Sequence, residues 1–392
     1  MDGFGLTEEL RQVRDQVRRF VDEEIVPVEH EALDFDQAAM LRTRMDRAKE
    51  QGLWALGHPE ALGGGGLSFM GSVYVNEVVG RSRPAAVALG MHSLQDALTL
   101  QEFATPEQQQ RWLTPLVDGE IFLSFAMTEP EVAGSDPKLM RSVALSDGSG
   151  WRIQGHKWFT SWADRASVAI VLAKTDPVAP LHRQFSAFLV PTDAPGYRVE
   201  RLLSVMGNPA SPYGEIRLDN VSVSESQLLG QLGEGFHIAQ SRLQPSRVLD
   251  CMRWLGQAER AFELMCLWAN QRHSHGSLLR DKGEIQRLVA ESATAIQASR
   301  VLTLDTARIM DAGGDARLQT SMIKSYVARM LQDVLDRAIQ VHGAAGLSAD
   351  LPLERMYREA RGARLYDGPD EVHDMVVARG MLDDLAGNAP WS

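Results

Sequence analysis

Cysteine is nearly absent from this chain: 392 residues contain only Cys251 and Cys266, both in apolar helical sequence. Two thiols so placed exclude a disulfide framework and a cysteine metal cluster, and they read as core residues. Long apolar runs are also missing; none approaches the roughly 20 residues that cross a bilayer. The opening stretch, MDGFGLTEELRQVRDQ, has acids in its first turn and no apolar signal core. No membrane association and a cytoplasmic location are therefore expected. Positive charge is outweighed, with 40 Lys and Arg against 52 Asp and Glu and a net charge of -12, which speaks against a nucleic-acid partner. No HExxH, GxSxG, Walker lysine motif or CxxC occurs, and the ten histidines are scattered. Hydrolytic chemistry and a metal site lose support together.

What is present is ordinary globular sequence, 44% apolar and 23% charged, too long for one core and long enough to bury a large cofactor. From Thr7 to about Val132 the period is helical, with Thr7 as an N-cap and Leu10, Val13, Val17, Phe20 and Val21 on one face. The glycine run in ALGGGGLSF, residues 61–69, reads as a loop: no GK[ST] follows it and no strand clearly precedes it. Between about 125 and 232 the pattern becomes alternation and short apolar runs, as in WRIQGHKWFT, ASVAIVLAKT, FSAFLVPT and GEIRLDNVSV. Helical periodicity then returns, with helices expected near 236–271, 283–312, 316–342 and 369–386. The expected class is α+β: an N-terminal helical domain (1–124), a central antiparallel β-barrel domain (125–232) and a C-terminal four-helix bundle (233–392).

Chemistry concentrates in two places. FAMTEPEVAGSD, residues 125–136, lies where helices give way to strands, and its small residues and hydroxyls let backbone amides approach a flat ring or an anion. ARLYDGPDEVHDM, residues 363–375, contains Asp367 ahead of Gly368, Pro369, Asp370 and Glu371. Locally that pattern is a helix start, with Asp367 as cap and Pro369 at the first helical position.

These stretches, together with GHKWFTSWAD (155–164), GQLGEGFHIAQSRLQPSRVLDCMRWLGQAERAFE and AIQVHGAAGLSADLPLERMYREARGARLYDGPDEVH, resemble the acyl-CoA dehydrogenases in order across nearly the whole chain. The wording is most similar to the branch fused in animals to a phosphotransferase-like kinase domain. The resemblance implies FAD as cofactor, an acyl-CoA substrate, an electron-transfer flavoprotein as acceptor, and a homodimer or homotetramer. It places Phe125, Met127, Thr128, Gly134 and Ser135 against flavin or thioester, with Phe159, Thr160 and Ser161 beside the ring. Arg272, His275, Gln286, Gln340, Gly343 and Ala344 fall where the adenosine diphosphate half is held, partly across a subunit interface, and Pro369 and Glu371 complete the cofactor set. Three positions depart from the family pattern: His275 replaces the phenylalanine of RxxFG, Gly283 a common glutamine, and GAAG a more usual GGxG. The loop after Pro130 also carries one extra residue, Glu131 or Val132.

Flavin-dependent α,β-dehydrogenation needs one carboxylate to remove a proton from Cα. The family takes it either from just before an arginine on the first long C-terminal helix or from the acidic position of YEGT. Here the first position is Ser246, before Arg247, and the second is Asp367 in Tyr366-Asp367-Gly368-Pro369. Asp367 is thus the expected base, one methylene shorter than the common glutamate. Ser135, Gln244, Arg247, Tyr366 and Gly368 are the expected substrate contacts. The resemblance also raises a 4-phosphoacyl-CoA substrate, with Arg247 as the phosphate ligand, beside a plain straight-chain thioester. The competing activities are a flavin monooxygenase or oxidase of the same fold, and a non-catalytic flavoprotein scaffold.

Overall fold

The computed structural model describes residues 4–29, 38–206 and 211–386. The N-terminal helical domain contains α1 (Glu8–Phe20), α2 (Ala38–Glu50), α3 (Phe69–Val79), α4 (Ala85–Ala88), α5 (Leu94–Phe103), α6 (Pro106–Gln108) and α7 (Thr114–Val117). Thr7 caps α1 as its sequence suggests, its side chain accepting a hydrogen bond from the Leu10 amide at 3.2 Å. The apolar stripe of α1 faces inward: Val17, Phe20 and Val21 are buried, and Leu10 and Val13 pack against the same core.

The middle domain holds β1 (Phe122–Ala126), β2 (Val143–Ser146), β3 (Gly150–Thr160), β4 (Ala166–Lys174), β5 (Phe185–Pro191), β6 (Tyr197–Leu202), β7 (Gly214–Ser224) and β8 (Leu228–Leu229). They form one sheet ordered β6-β7-β3-β2-β4-β5-β8, with β1 added alongside β4. Two features correct the expected antiparallel barrel. The sheet is mixed, because β1 runs parallel to β4, and it stays open. Closure would require β6 to pair with β8, but β8 has only two residues and five of the six residues of β6 face solvent. Alternation in sequence reports which face of a strand is buried, not which strand lies beside it.

The C-terminal helical domain comprises α8 (Gly235–Gln271), a short hairpin of β9 (His273–Ser274) and β10 (Ser277–Leu278), α9 (Gly283–Asp311), α10 (Arg317–His342), α11 (Leu353–Ala360) and α12 (Asp370–Ala386). The four long helices begin and end within two residues of the expected limits. Helix α8 joins the two helical domains by crossing α3 with backbone against backbone. A Cβ at Gly256 would lie 1.7 Å from the Glu77 carbonyl oxygen, and one at Gly80 would lie 2.0 Å from that of Arg253. Only glycine permits such an approach. Around the crossing, buried pairs such as Arg300 with Glu77 (2.7 Å) and Arg260 with Glu29 (2.8 Å) satisfy charges that would otherwise be stranded in the interface.

Candidate active site

The glycine run near the N-terminus makes no anion cradle. The amides of Gly63, Gly64, Gly65 and Gly66 all donate within the loop, to Glu60, Pro59, Ala55 and His58. A Cβ at Gly64 would meet the His58 carbonyl at 2.3 Å, so glycine is needed there for packing.

The loop that follows β1 is tied to the end of β3 as its sequence suggests. Thr128 O accepts from the Trp158 amide at 3.0 Å, and Ser124 Oγ donates to Ser161 O at 2.7 Å. Lys157, fully buried on β3, donates from Nζ to Met127 O (3.0 Å) and to Glu129 Oε1 (2.9 Å). The Glu129 carboxylate also accepts from the amides of Arg141 (2.6 Å) and Ser142 (2.9 Å). Burial alone would raise the Glu129 carboxyl, but the adjacent ammonium and these donors outweigh it and hold it below the usual carboxylate range. The extra loop residue is absorbed locally, Glu131 reaching His156 Nδ1 of β3 at 2.5 Å. Gly134 still descends onto Thr128, where a Cβ would lie 2.9 Å from Cγ2. Ser135 is exposed, and Phe125 lies under the Arg242 guanidinium at 4.4 Å.

The end of β3 has the marks of a surface awaiting a ligand. Phe159 adopts φ 50 yet remains 46% exposed. Next to it, Thr160 Oγ1 is buried with no hydrogen-bond partner. A left-handed aromatic residue and an unpaired buried hydroxyl are each unfavourable in isolation. A planar ring against this edge would cover Phe159.

The C-terminal loop corrects the local pattern around Asp367. Helix α12 begins at Asp370, and Pro369 O accepts from the Val372 and His373 amides. Pro369 is therefore the residue just outside the helix, and Asp367 is not its cap. Asp367 adopts φ 57, and among the described residues no hydrogen bond engages its carboxylate. Its carbonyl is held instead, by Arg247 Nε at 2.9 Å and His373 Nε2 at 3.1 Å. Gly368, at φ 101, comes so close to His373 that a Cβ would lie 2.8 Å from Nε2. Burial, reinforced by the charges of Arg247 and Lys324, pushes His373 down to about 4, so the ring is neutral near pH 7.

Tyr213 links the two loops. Its ring is 6.2 Å from that of Phe159, and its hydroxyl is raised by desolvation and by the carboxylates of Asp250, Asp367 and Glu359, against Arg83. Asp367 is thus within electrostatic reach of the β3 end. Tyr366, largely open, accepts from Trp254 Nε1 at 3.1 Å. Gln244 is half-buried on α8 near Arg247. Arg242 and Arg253 are not solvated: the first pairs with Asp96 at 2.7 Å, the second with Asp250 and Asn76. Arg247 makes no ion pair among the described residues. Glu371 is exposed in the first turn of α12, whereas Asp370 is buried between Arg329 and Arg364.

The remaining expected cofactor residues gather elsewhere. Arg272 ends α8 with its guanidinium 5.7 Å from the Trp268 ring, and Trp268 stacks on His342 of α10 at 5.0 Å. This brings Arg272 near the α10 end, where Gln340, Gly343 and Ala344 are exposed. His275 stands at φ 48 in the hairpin turn, its carbonyl accepting from Lys282, and Gln286 bonds Arg280 O at 3.1 Å. Among the described residues no hydrogen bond or ring contact joins this group to the β3 end. Lys157, Lys324 and His373 were not singled out by sequence; each has a backbone carbonyl among its partners, which leaves no residue signature.

Three models of one family match in succession: the N-terminal domain of acyl-CoA dehydrogenase over residues 7–120, the middle domain over 124–221 and the C-terminal domain over 233–382. The chain is 38% identical to mouse acyl-CoA dehydrogenase family member 10 over 96% of its length but spans only 37% of that protein, in keeping with a fused branch. It is 37% identical to the probable acyl-CoA dehydrogenase FadE2 of Mycobacterium tuberculosis, covering 97% of both chains. A putative acyl-CoA dehydrogenase from Mycobacterium abscessus superposes with a TM-score of 0.91 at 35% identity, over 97% of this chain and 99% of that one. Matched from its first helix to its last and sharing its architecture with relatives of the same length, this chain belongs to the acyl-CoA dehydrogenase family.

Proposed function

We propose that the protein is an FAD-dependent acyl-CoA dehydrogenase in which Asp367 removes the proton from Cα of the thioester. FAD, when bound, accepts the hydride that leaves Cβ, so the two C–H bonds are replaced by one C=C bond. Met127, Thr128, Gly134, Ser135, Phe159, Thr160 and Ser161 would hold the ring. Pro369 and Glu371 would border it. Arg272, His275, Gln286, Gln340, Gly343 and Ala344 would hold the adenosine diphosphate half. Among the described residues no hydrogen bond engages the Asp367 amide; it would donate to the thioester carbonyl, acidifying Cα as enolate charge develops. Arg247, with Gln244 and Tyr366, orients the thioester over the base.

The observation that carries this reading is the state of Asp367: its backbone is fixed by Arg247 and His373 while its carboxylate is used neither as a cap nor in an ion pair. Anaerobic mixing of the FAD-loaded protein with a panel of acyl-CoA thioesters tests it. Bleaching of the oxidised flavin is expected. Bleaching by none would reject the dehydrogenase and leave the scaffold, whereas flavin turnover only with oxygen and an external reductant would indicate the monooxygenase. Electron-transfer flavoprotein is the expected acceptor. Exposed apolar residues on the C-terminal helices, Leu267, Leu302 and Leu382 among them, support a homodimer or homotetramer, measurable by light scattering.

One observation favours a substrate with an anionic group on the acyl chain. Of the three arginines on this part of α8, only Arg247 lacks a carboxylate partner, and guanidinium is suited to bidentate phosphate recognition. If this second reading holds, 4-phosphovaleryl-CoA reduces the flavin faster than octanoyl-CoA. The reverse order rejects it.

A further inference from the structure

A base acting on a carbon acid must be held to a fraction of an ångström. Asp367 nevertheless lies on a loop between a short helical turn and α12, in the left-handed backbone region. Beneath that loop, Lys324 projects from the first third of α10 and is fully buried. Its Nζ donates to Ala363 O at 2.8 Å and to Gly368 O at 2.9 Å. One ammonium therefore closes the segment from 363 to 368, the segment that contains Asp367. The Trp254 and Tyr366 rings lie 5.4 and 5.9 Å from the same nitrogen. Among the described residues no carboxylate comes within ion-pairing distance of it.

Burying an ammonium is costly unless fixed dipoles compensate, and a methionine would fill the same space in α10 without that cost. A lysine that merely capped the short turn at Arg361–Arg364 would need Ala363 alone. The second bond, to Gly368, serves no helix end; it fixes the residue that follows the base. Arg247 and His373 hold the Asp367 carbonyl from two other helices, so α8, α10 and α12 all grip the same short piece of backbone.

We propose that Lys324 is the positioning residue of the catalytic base, clamping the 363–368 loop so that the Asp367 carboxylate faces the substrate. This rests on Asp367 being the base. Lys324 touches neither substrate nor cofactor in this role and acts through the loop.

The test uses FAD-loaded full-length enzyme and the best thioester found in the bleaching screen. Lys324→Met is expected to retain FAD and to leave KM within about threefold, while flavin reduction slows at least about thirtyfold. Lys324→Gln, which can still donate to a carbonyl, should recover part of the rate. A Lys324→Met enzyme that reduces its flavin at the wild-type rate overturns the clamp. Failure of both variants to fold also overturns it, since the residue would then serve the whole bundle. If no thioester bleaches the wild type, the dehydrogenase reading itself falls, and the clamp falls with it.

Discussion

The two loops of the candidate site are held by the same kind of residue in two different electrical states. On the cofactor side, Lys157 donates to Met127 O and to the Glu129 carboxylate, a buried pair of no net charge. On the base side, Lys324 donates to two carbonyls and meets no carboxylate within ion-pairing distance among the described residues. In the proposed mechanism, the surface that receives the planar ring rests on a compensated pair. The loop that carries the proposed base rests on a lysine bonded to two carbonyl oxygens. Each device suits the chemistry beside it.

The comparison breaks most sharply at Asp367. Asp367→Asn should keep FAD and thioester binding and lose at least about a thousandfold in anaerobic flavin reduction, the scale of a lost general base. Normal turnover by that variant would remove the functional difference between the two loops.

Lys157→Met leaves Glu129 buried without its cation, which should cost about 3–5 kcal/mol of stability. Denaturant unfolding would measure it, and FAD retention should fall in parallel. Lys157→Met should thus destabilise the protein more than Lys324→Met does and affect intrinsic rate less.

Gly368→Ala probes the base loop from the backbone. With φ at 101 and a Cβ only 2.8 Å from His373 Nε2, it should cost about 1–3 kcal/mol. The rate should drop more than the midpoint of unfolding would suggest.

The smallest effect is acid sensitivity. His373 has its value lowered from 6.5 to about 4. The unfolded chain therefore binds a proton that the folded one refuses, and the stabilisation present above pH 6.5 is lost as pH falls from there to about 4. Glu129, lowered from an ordinary value of 4.5, keeps its contribution above 4.5 and loses it as pH falls from there through its depressed value. Hydrogen exchange across pH 7 to 4.5 should show the base loop loosening before the β1–β3 junction. His373→Gln should flatten that early loss.

Much of this was legible in the sequence. Helical period located the long helices, since each buries one stripe, and alternation located β3, β4, β5 and β7. Two loops of unusual composition marked the candidate site, and hydrogen bonds join the first of them to His156, Lys157 and Trp158, just before Phe159. Barrel closure was not legible, because strand pairing depends on which edges meet, and β8 is too short to offer one. The helix start was misread by one residue and its cap by two, at Asp367 instead of Pro369, as Gly368 carries the chain through a turn before Pro369. Lys157, Lys324 and His373 escaped notice for a common reason: each meets a backbone carbonyl oxygen, and every residue has one.

The glycine contact between α3 and α8 sets a limit on how such an enzyme can change its substrate. At Gly80 and Gly256 the two helices already touch backbone to backbone, so no substitution can bring them closer, and any larger residue forces them apart. Helix α8 carries Gln244 and Arg247, the proposed substrate contacts, so its distance from the N-terminal helices would fix one wall of the proposed substrate space. New acyl chains must then be accommodated by exchanging the side chains that line that space, one pocket at a time, because the frame around them has no adjustable spacing.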